Sequence, residues 1–487
     1  MKMQGFGIVA LSGTVARASG SLDRTRPNIV FIISHDAGRY LGCYGNKVYT
    51  PNLDGLASQG VRLSNAFCSS PACAPSRCCA YTGLPAHQHG VMGVTPSGFS
   101  LNNGMQTVVD YLNAAGYETA HVGFQHERHL ARENRYQIEM GGAGDTVLVE
   151  YAVDHAISYI KNRDPSKGPF YLNIGTMECH ASVWQDQQAG NRKKMYGQLP
   201  ADEVDYPKWW TDTPELRREM GNFEACIQYY DFHIGRLLRE LNESVYASNT
   251  LVVVTTDHGI SGERSKGTLY DKGVETYFLA RWPEKIPVGV VRDELIVNVD
   301  IAPTLLDAAG IDTPPYMYGR SFLPLLTGGP YTPHETVFTE RNFHGSDERD
   351  IMRACRTKRW HYILNLTPDV KQEWIKGTEP GMNRTYTYWL NELWPERTLP
   401  RSREELFDME NDPLEMNNLA DDPAYAKVLR DMRSRVRDYM AGTCDPAAYN
   451  GIVSVHELEE QAGRQVRYRQ EAMPKYLDNR DSGYEAK

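Results

Sequence analysis

Two runs of seven residues set the frame for any fold this chain can adopt. Asn28–Ser34 (NIVFIIS) and Thr250–Thr256 (TLVVVTT) are apolar or β-branched almost throughout, without a polar–apolar alternation. A strand of that kind has to be covered on both faces, which is the habit of parallel sheets wrapped by helices. Residues 118–122 and Phe170–Gly175 have the same character, and 107–115 and 216–242 between them carry apolar residues at helical spacing, the latter including Ile227, Leu237, Leu238 and Leu241. This order predicts an α/β domain with a largely parallel, doubly covered sheet.

Residues 300–309 read as a further helix, after which 312–326 become rich in Pro, Gly and Tyr and run into Gly328, Gly329 and Pro330. A domain boundary is expected there. Short strand-like segments follow at 336–339, 352–357 and Trp360–Asn365, then a helix at 425–439, which predicts a small antiparallel sheet backed by a helix. The expected division is 1–24 as a signal or disordered N-terminus, 25–330 as the main domain, 331–449 as a C-terminal α+β subdomain and 450–487 as a charged tail. A chain of 487 residues with 41% hydrophobic side chains can bury one large core and one smaller one.

A formal net charge of -10 excludes a general polyanion binder, so no nucleic-acid partner is expected and any anionic ligand must be held locally. No apolar run reaches the roughly 18 residues of a membrane span. Lys2, an apolar stretch at 6–11 and small residues at 16–20 are similar to a short signal peptide. Export to a periplasmic, extracellular or lysosome-like compartment is therefore expected, with the cytoplasm as the alternative. The nine cysteines, Cys43, Cys68, Cys73, Cys78, Cys79, Cys179, Cys226, Cys355 and Cys444, have no regular spacing and do not read as a disulfide framework. Asn242, Asn365 and Asn383 each begin an N-x-S/T triplet, a pattern common by chance.

Both long apolar runs end in chemistry. Asn28–Ser34 leads into His35-Asp36-Ala37-Gly38, and Thr250–Thr256 into Asp257-His258-Gly259. Ligands collect where parallel strands leave a sheet, and two His/Asp pairs delivered to one edge make a metal site of oxygen and nitrogen donors. A single Asp after a strand is ordinarily a turn residue or a helix N-cap; the duplication raises the metal reading to equal standing.

The segment Cys73-Ala74-Pro75-Ser76-Arg77, continuing to Thr82-Gly83, places a nucleophilic side chain at a loop end, a Pro able to start a helix, and an Arg one turn on. This string resembles the signature of type I sulfatases, in which the Cys is oxidised to Cα-formylglycine. The resemblance runs from about residue 26 to about residue 423. It includes Arg26-Pro27-Asn28-Ile29-Val30, Thr50-Pro51-Asn52-Leu53-Asp54, Asp257-His258-Gly259 with Lys266-Gly267-Thr268, and Glu405-Leu406-Phe407-Asp408 with Asn411-Asp412-Pro413. It implies an alkaline-phosphatase-like fold, with a mixed, mostly parallel sheet flanked by helices and the smaller antiparallel C-terminal subdomain.

Carried over position by position, the resemblance implies a calcium ion, or another divalent metal, among His35, Asp36, Asp257, His258 and the modified residue 73. It implies catalytic roles for Cys73, Arg77, His126, His180 and Lys266, and a formylglycine-generating maturation enzyme as partner. Two positions depart from the pattern: His35 stands where Asp is common, and Phe124, in Gly123-Phe124-Gln125-His126, stands where Lys is usual. The stretch Gly83 to Gly93 is similar to heparan N-sulfatases, which implies a sulfated glucosamine as substrate. His87, Gln88 and His89 then either hydrogen-bond a sugar or pack the loop against the sheet, and Trp184, Tyr206, Trp209 and Trp210 either stack on sugar rings or form a lid. A phosphodiester or phosphonate monoester hydrolase on the same scaffold, a sulfatase acting on O-sulfated sugars or aryl sulfates, and a non-catalytic sulfated-glycan binder with Cys73 unconverted are the competing readings.

Overall fold

β1 (Asn28–Ser34) runs parallel between β5 (Phe170–Gly175) and β6 (Thr250–Thr256) and is buried along its whole length. Ile29, Phe31 and Ile33 enter one hydrophobic cluster, and Val30 and Ile32 enter another on the opposite face. β6 divides the same way, Leu251 and Val253 to one side, Val252 and Val254 to the other. Alternate side chains point to opposite faces of a strand, so a sheet covered on both sides needs apolar residues at every position.

The coordinates are a computed structural model describing residues 26–448 apart from 96–97, 128–134, 142–146, 185–198, 201, 211, 263, 344–348 and 370–400. The expected N-terminal signal, the charged tail at 450–487 and the triplet at Asn383 lie outside the described residues.

The main sheet has eight strands in the order β4-β3-β5-β1-β6-β7-β2-β8. Its other members are β2 (Val61–Phe67), β3 (Glu118–Gly123), β4 (Ile138–Met140), β7 (Glu275–Arg281) and β8 (Val290–Val297). β7 is antiparallel to both β6 and β2, and the remaining pairings are parallel, so the sheet is mixed and mostly parallel as expected. β2 mixes buried with half-buried residues, and β8 is half-buried or exposed until its last three residues, which hid both among polar residues in the sequence.

The helices covering this sheet include Val108–Ala114, opened by a capping box of Thr107 and Asp110, and Ile301–Ala308. On the other face, Val149–Asn162 packs against the 30-residue helix Pro214–Glu243. The long helix starts where Thr213 caps the Leu216 N–H and Pro214 occupies the first turn, whose N–H has no helical partner to lose.

The second sheet has the order β12-β11-β10-β9, all antiparallel, from Val337–Phe343 (β9), Arg349–Arg356 (β10), Trp360–Asn365 (β11) and Glu404–Asp408 (β12). One face buries Cys355, Tyr362 and Leu406 under Leu429, Met432 and Val436 of the helix Ala426–Gly442. The other face puts Met352, Ala354, Ile363 and Phe407 into a cluster shared with Phe67, Leu295 and Val297 of the main sheet. Asn365 is fully buried and donates to the Ser402 carbonyl and Glu405, so it is no glycosylation acceptor in the folded chain.

The long helix also buries Glu224, whose Oε1 accepts the Asp205 N–H at 2.8 Å. Burial first, and then the charge of Asp205, push its pKa from 4.5 up to about 7. The folded protein therefore holds a proton that the unfolded chain releases between these values, and stability falls as pH rises through that window. Glu224→Gln keeps the acceptor oxygen without the charge. Urea unfolding is expected to show it more stable by about 1–3 kcal/mol at pH 8 and nearly unchanged at pH 4.5; an equal effect at both pH values would refute the buried charge as its cause.

Candidate active site

The registers Ser34↔Thr256, Ile33↔Gly175 and Gly123↔Gly175 bring the C-terminal ends of β3, β5, β1 and β6 to one edge of the sheet. Each of these strands leaves the sheet towards a chemical group: His126 after β3, His180 after β5, His35 and Asp36 after β1, Asp257 and His258 after β6. Parallel strands all end at the same edge, so residues far apart in sequence converge there.

Cys73 arrives from a different direction. The Cys68 N–H donates to the Val274 carbonyl at 2.8 Å and the Gly267 N–H to that of Pro71 at 2.9 Å, tying the loop before Cys73 to the loop that carries Lys266. The helix Cys73–Thr82 then begins at the sheet edge and is buried throughout. Ser76 Oγ donates to the Asp257 carbonyl, and Asn298 Nδ2 donates to both Ser76 oxygens at 2.9 Å. In consequence His35, Asp36, Cys73, Asp257 and His258, all buried, each place one donor atom within 4.8 Å of the others.

Backbone and charge both hold the cluster. Asp257 Oδ1 accepts the N–H groups of Asp36 and His258, each at 3.0 Å. Asp36 Oδ2 accepts from Lys266 Nζ at 2.8 Å and Ser261 Oγ at 2.7 Å. Asp36 and His126 adopt φ of 47° and 53°, a left-handed conformation that side-chain-bearing residues take only under constraint, and which gathers at functional sites. Burial works to raise the Asp36 pKa, but Lys266, with His35, His180 and His258, holds it well below the ordinary carboxylate value. Burial likewise opposes ionisation of Cys73, yet the charges of His35 and Lys266, with His126 and His258 against the sulfur, bring the thiol well below its usual pKa. His180, half-buried, is lowered by burial and Lys266 and rests neutral.

Arg77 is fully buried one turn into the helix. Its Nε donates to Asp257 Oδ2 at 3.2 Å and its Nη2 to the Ser34 carbonyl at 3.0 Å, while Nη1 is buried with no hydrogen-bond partner. A guanidinium nitrogen left open beside the cluster is a ready donor to an anion. Phe124 lies against it, with the Arg77 guanidinium 5.0 Å from its ring centroid and the rings of His35 and His126 both at 5.1 Å. Gly175 permits this closeness, since a Cβ there would fall 1.7 Å from the Phe124 carbonyl oxygen and 3.3 Å from Arg77 Nη1.

The two candidate sugar ligands from the loop after this helix sit elsewhere. His89 is buried, its Nδ1 accepting the Val91 N–H at 3.1 Å and its Nε2 3.3 Å from Cys79 Sγ, which leaves neither ring nitrogen for a sugar. His87 Nδ1 meets Glu340 Oε2 at 2.7 Å, in a network where Arg353 bridges Glu340 and Asp445. His87 thus ties this loop to β9 of the second sheet, and His89 ties it to the helix Cys73–Thr82. Trp210 is buried against Gly262, where a Cβ would lie 1.8 Å from the indole. Trp209 Nε1 donates to Ser265 Oγ at 3.2 Å, and Lys272 Nζ lies 4.9 Å from its ring centroid. With Tyr206 6.0 Å from Trp210 between ring centroids, these aromatics hold the insertion onto the Lys266 loop; the Trp184 side chain lies outside the described residues. Ser261 and Asn298 were not singled out from the sequence, because a lone Ser or Asn carries no spacing signal, and Ser76 was named there only as part of the Cys73–Arg77 string, without a role.

A model of the family described as Sulfatase matches residues 27–311, more than half of the chain. The protein is a member of the sulfatase family. A second model, described as N-sulphoglucosamine sulphohydrolase, C-terminal, matches residues 258–375 of this sulfatase. Among curated relatives, an ulvan-active sulfatase of Formosa agariphila is 30% identical, over 84% of this chain and 80% of the relative. The N-sulphoglucosamine sulphohydrolase of Homo sapiens is 28% identical, over 87% and 92%. A solved structure of a protein in complex with its substrate D-glucosamine-2-N,6-O-disulfate superposes with a TM-score of 0.67 at 21% identity, covering 86% of this chain and 98% of that one.

The sulfatase's own residues fit a divalent cation. His258 Nδ1 faces the Gly259 carbonyl at 3.0 Å, and its buried Nε2 lies 3.3 Å from Asp36 Oδ1 and 3.6 Å from Asp257 Oδ1, on the side of the Cys73 sulfur. The two carboxylates of Asp36 and Asp257 and the imidazole of His258 converge with His35 and Cys73 on one point and form a metal-binding donor set.

Proposed function

We propose that this sulfatase hydrolyses the sulfamate or sulfate ester of a glucosamine unit in a sulfated glycan, with N-sulfate foremost, through a formylglycine made from Cys73 by a maturation enzyme. The observation that carries this reading is the placement of Cys73 inside the His/Asp cluster, where Asp257 also holds the buried Arg77 whose Nη1 is unpartnered. The substrate class is supported by the C-terminal family model and by the human relative, both named for N-sulphoglucosamine. Export from the cytoplasm agrees with a glycan substrate.

Asp36, Asp257 and His258 would hold the divalent cation, calcium in the usual family pattern, which lends Lewis acidity to the reacting oxygens. A formylglycine at residue 73 would supply, in its hydrated form, the hydroxyl nucleophile of the reaction, held there by the loop that ties Cys73 to the Lys266 segment. Arg77 Nη1 and Lys266 Nζ neutralise the sulfate oxygens as charge shifts during transfer. His180 is the proton donor to the leaving nitrogen or oxygen; since it rests neutral, the negative charge of bound sulfate has to draw a proton onto it first. His126 takes the proton that accompanies release of sulfate. Phe124 leaves Arg77 and Lys266 as the site's cationic sulfate contacts.

The test is parallel assay of the purified protein on N-sulfoglucosamine, glucosamine 6-sulfate, an aryl phosphate diester and a phosphonate monoester, with mass spectrometry of the peptide spanning residue 73. Formylglycine at 73 and sulfate release from the sugars, N-sulfate fastest, is the expected result. Faster turnover of the phosphorus esters would overturn it in favour of a phosphodiester or phosphonate hydrolase. A retained thiol in protein from a host with the maturation enzyme, together with sugar binding, would overturn it in favour of a glycan-binding role.

A further inference from the structure

We infer that the cation of this site is a transition-type divalent ion such as Mn2+ or Zn2+, held by nitrogen from both His35 and His258, and not calcium. This rests on the reading that the cluster holds a divalent cation, and goes beyond it by counting which donor atoms are left to bind one.

Calcium takes about six to eight oxygen ligands, much of that number from bidentate carboxylates and carbonyls. The carboxylates here cannot supply them. Asp36 Oδ2 is occupied by Lys266 Nζ at 2.8 Å and Ser261 Oγ at 2.7 Å, so only Oδ1 faces the cluster. Asp257 is engaged through both oxygens, Oδ1 by two backbone N–H groups and Oδ2 by Arg77 Nε. Each is thus limited to one oxygen for a cation, and the remaining inward-facing donors are nitrogen and residue 73.

The second nitrogen is His35 Nδ1. It lies 2.5 Å from Asp36 Oδ1 and 3.3 Å from Asp257 Oδ2, at the centre of the carboxylate pair and not on its rim. The ring is fixed in that orientation. His180 packs edge-on against it at 4.6 Å between centroids, Phe124 lies at 5.1 Å, and the His35 backbone is clamped by its N–H to the Glu178 carbonyl at 2.7 Å and its carbonyl to the Cys179 N–H at 2.6 Å. Two imidazoles and two monodentate carboxylates, with an oxygen of residue 73, make a four- to five-donor set of mixed nitrogen and oxygen. Borderline ions with short bonds accept such a set, whereas calcium is left short of oxygen.

The experiment uses the mature protein, with formylglycine at residue 73 verified by mass spectrometry so that no thiolate biases the result. Metal-stripped protein is titrated with Mn2+, Zn2+ and Ca2+, for the wild type and for His35→Asp, and the Mn2+ form is read by pulsed electron paramagnetic resonance for nitrogen coupling. Wild type is expected to prefer Mn2+ and Zn2+ over Ca2+ by at least about 100-fold, and His35→Asp to shift that ratio towards Ca2+ by about 10- to 100-fold. Mn2+ should show two coupled imidazole nitrogens in wild type and one in the variant. Should His35→Asp fail to fold, the Mn2+ form of His258→Asn must still show one coupled nitrogen, from His35. Comparable Ca2+ and Mn2+ affinity in wild type, or a single coupled nitrogen, would overturn the inference and leave the sulfatase mechanism standing. Failure of all three ions to bind the folded mature protein would instead overturn the metal site itself.

Discussion

Cys73→Ala is expected to lower sulfate release by at least about 10⁴-fold, because it removes the proposed nucleophile. Folding should survive. The side chain is small, and the helix it opens is anchored by Ser76 and Arg77 and not by the sulfur. The measurement is single-turnover sulfate release at saturating substrate, beside a thermal melt. Loss of activity with an unchanged melt is the expected pair; residual turnover within about 10-fold of wild type would place the nucleophile elsewhere.

Arg77→Lys is expected to cut turnover by about 10²- to 10³-fold and to cost about 2–4 kcal/mol of stability as well. From the sequence alone, replacing this residue should harm turnover far more than folding. The structure changes that expectation. The guanidinium is fully buried and its three nitrogens are placed differently: Nε donates to Asp257, Nη2 to the Ser34 carbonyl, and Nη1 is left without a partner beside Gly175. A lysine keeps the charge but cannot serve all three directions, so a buried carbonyl or carboxylate loses its partner in any pose. Sulfate release and urea unfolding on the same preparation separate the two effects. Activity within a few-fold of wild type at unaltered stability would show that Nη1 has no part in holding sulfate.

Much of the fold was readable because burial leaves a direct mark on composition. β1, β5 and β6 are covered on both faces, and the sequence shows them as largely apolar or β-branched runs with the observed limits. β2 and β8 were missed, since partial exposure dilutes the apolar signal. β7 is buried throughout but carries Glu275, Thr276 and Arg281 at its ends, whose partners Lys272 and Asn242 come from elsewhere in the chain. β12 precedes a turn-rich stretch and gains its strand character only by pairing with β11.

The sequence by itself determined the chemical inventory: two strand-end His/Asp pairs, a Cys in a sulfatase-like string, an Arg one turn on, and histidines after two further strands. Those groups are local, and local patterns are legible in one dimension. Only the tertiary structure decided which atoms remain available. It gave Asp36 Oδ2 to Lys266 and Ser261, kept Arg77 Nη1 open, turned His35 Nδ1 between two carboxylates and withdrew His87 and His89 into packing. The reason is physical: a hydrogen bond or an ion pair formed across the fold consumes a donor or acceptor, and which one it consumes depends on approach directions that sequence spacing does not encode.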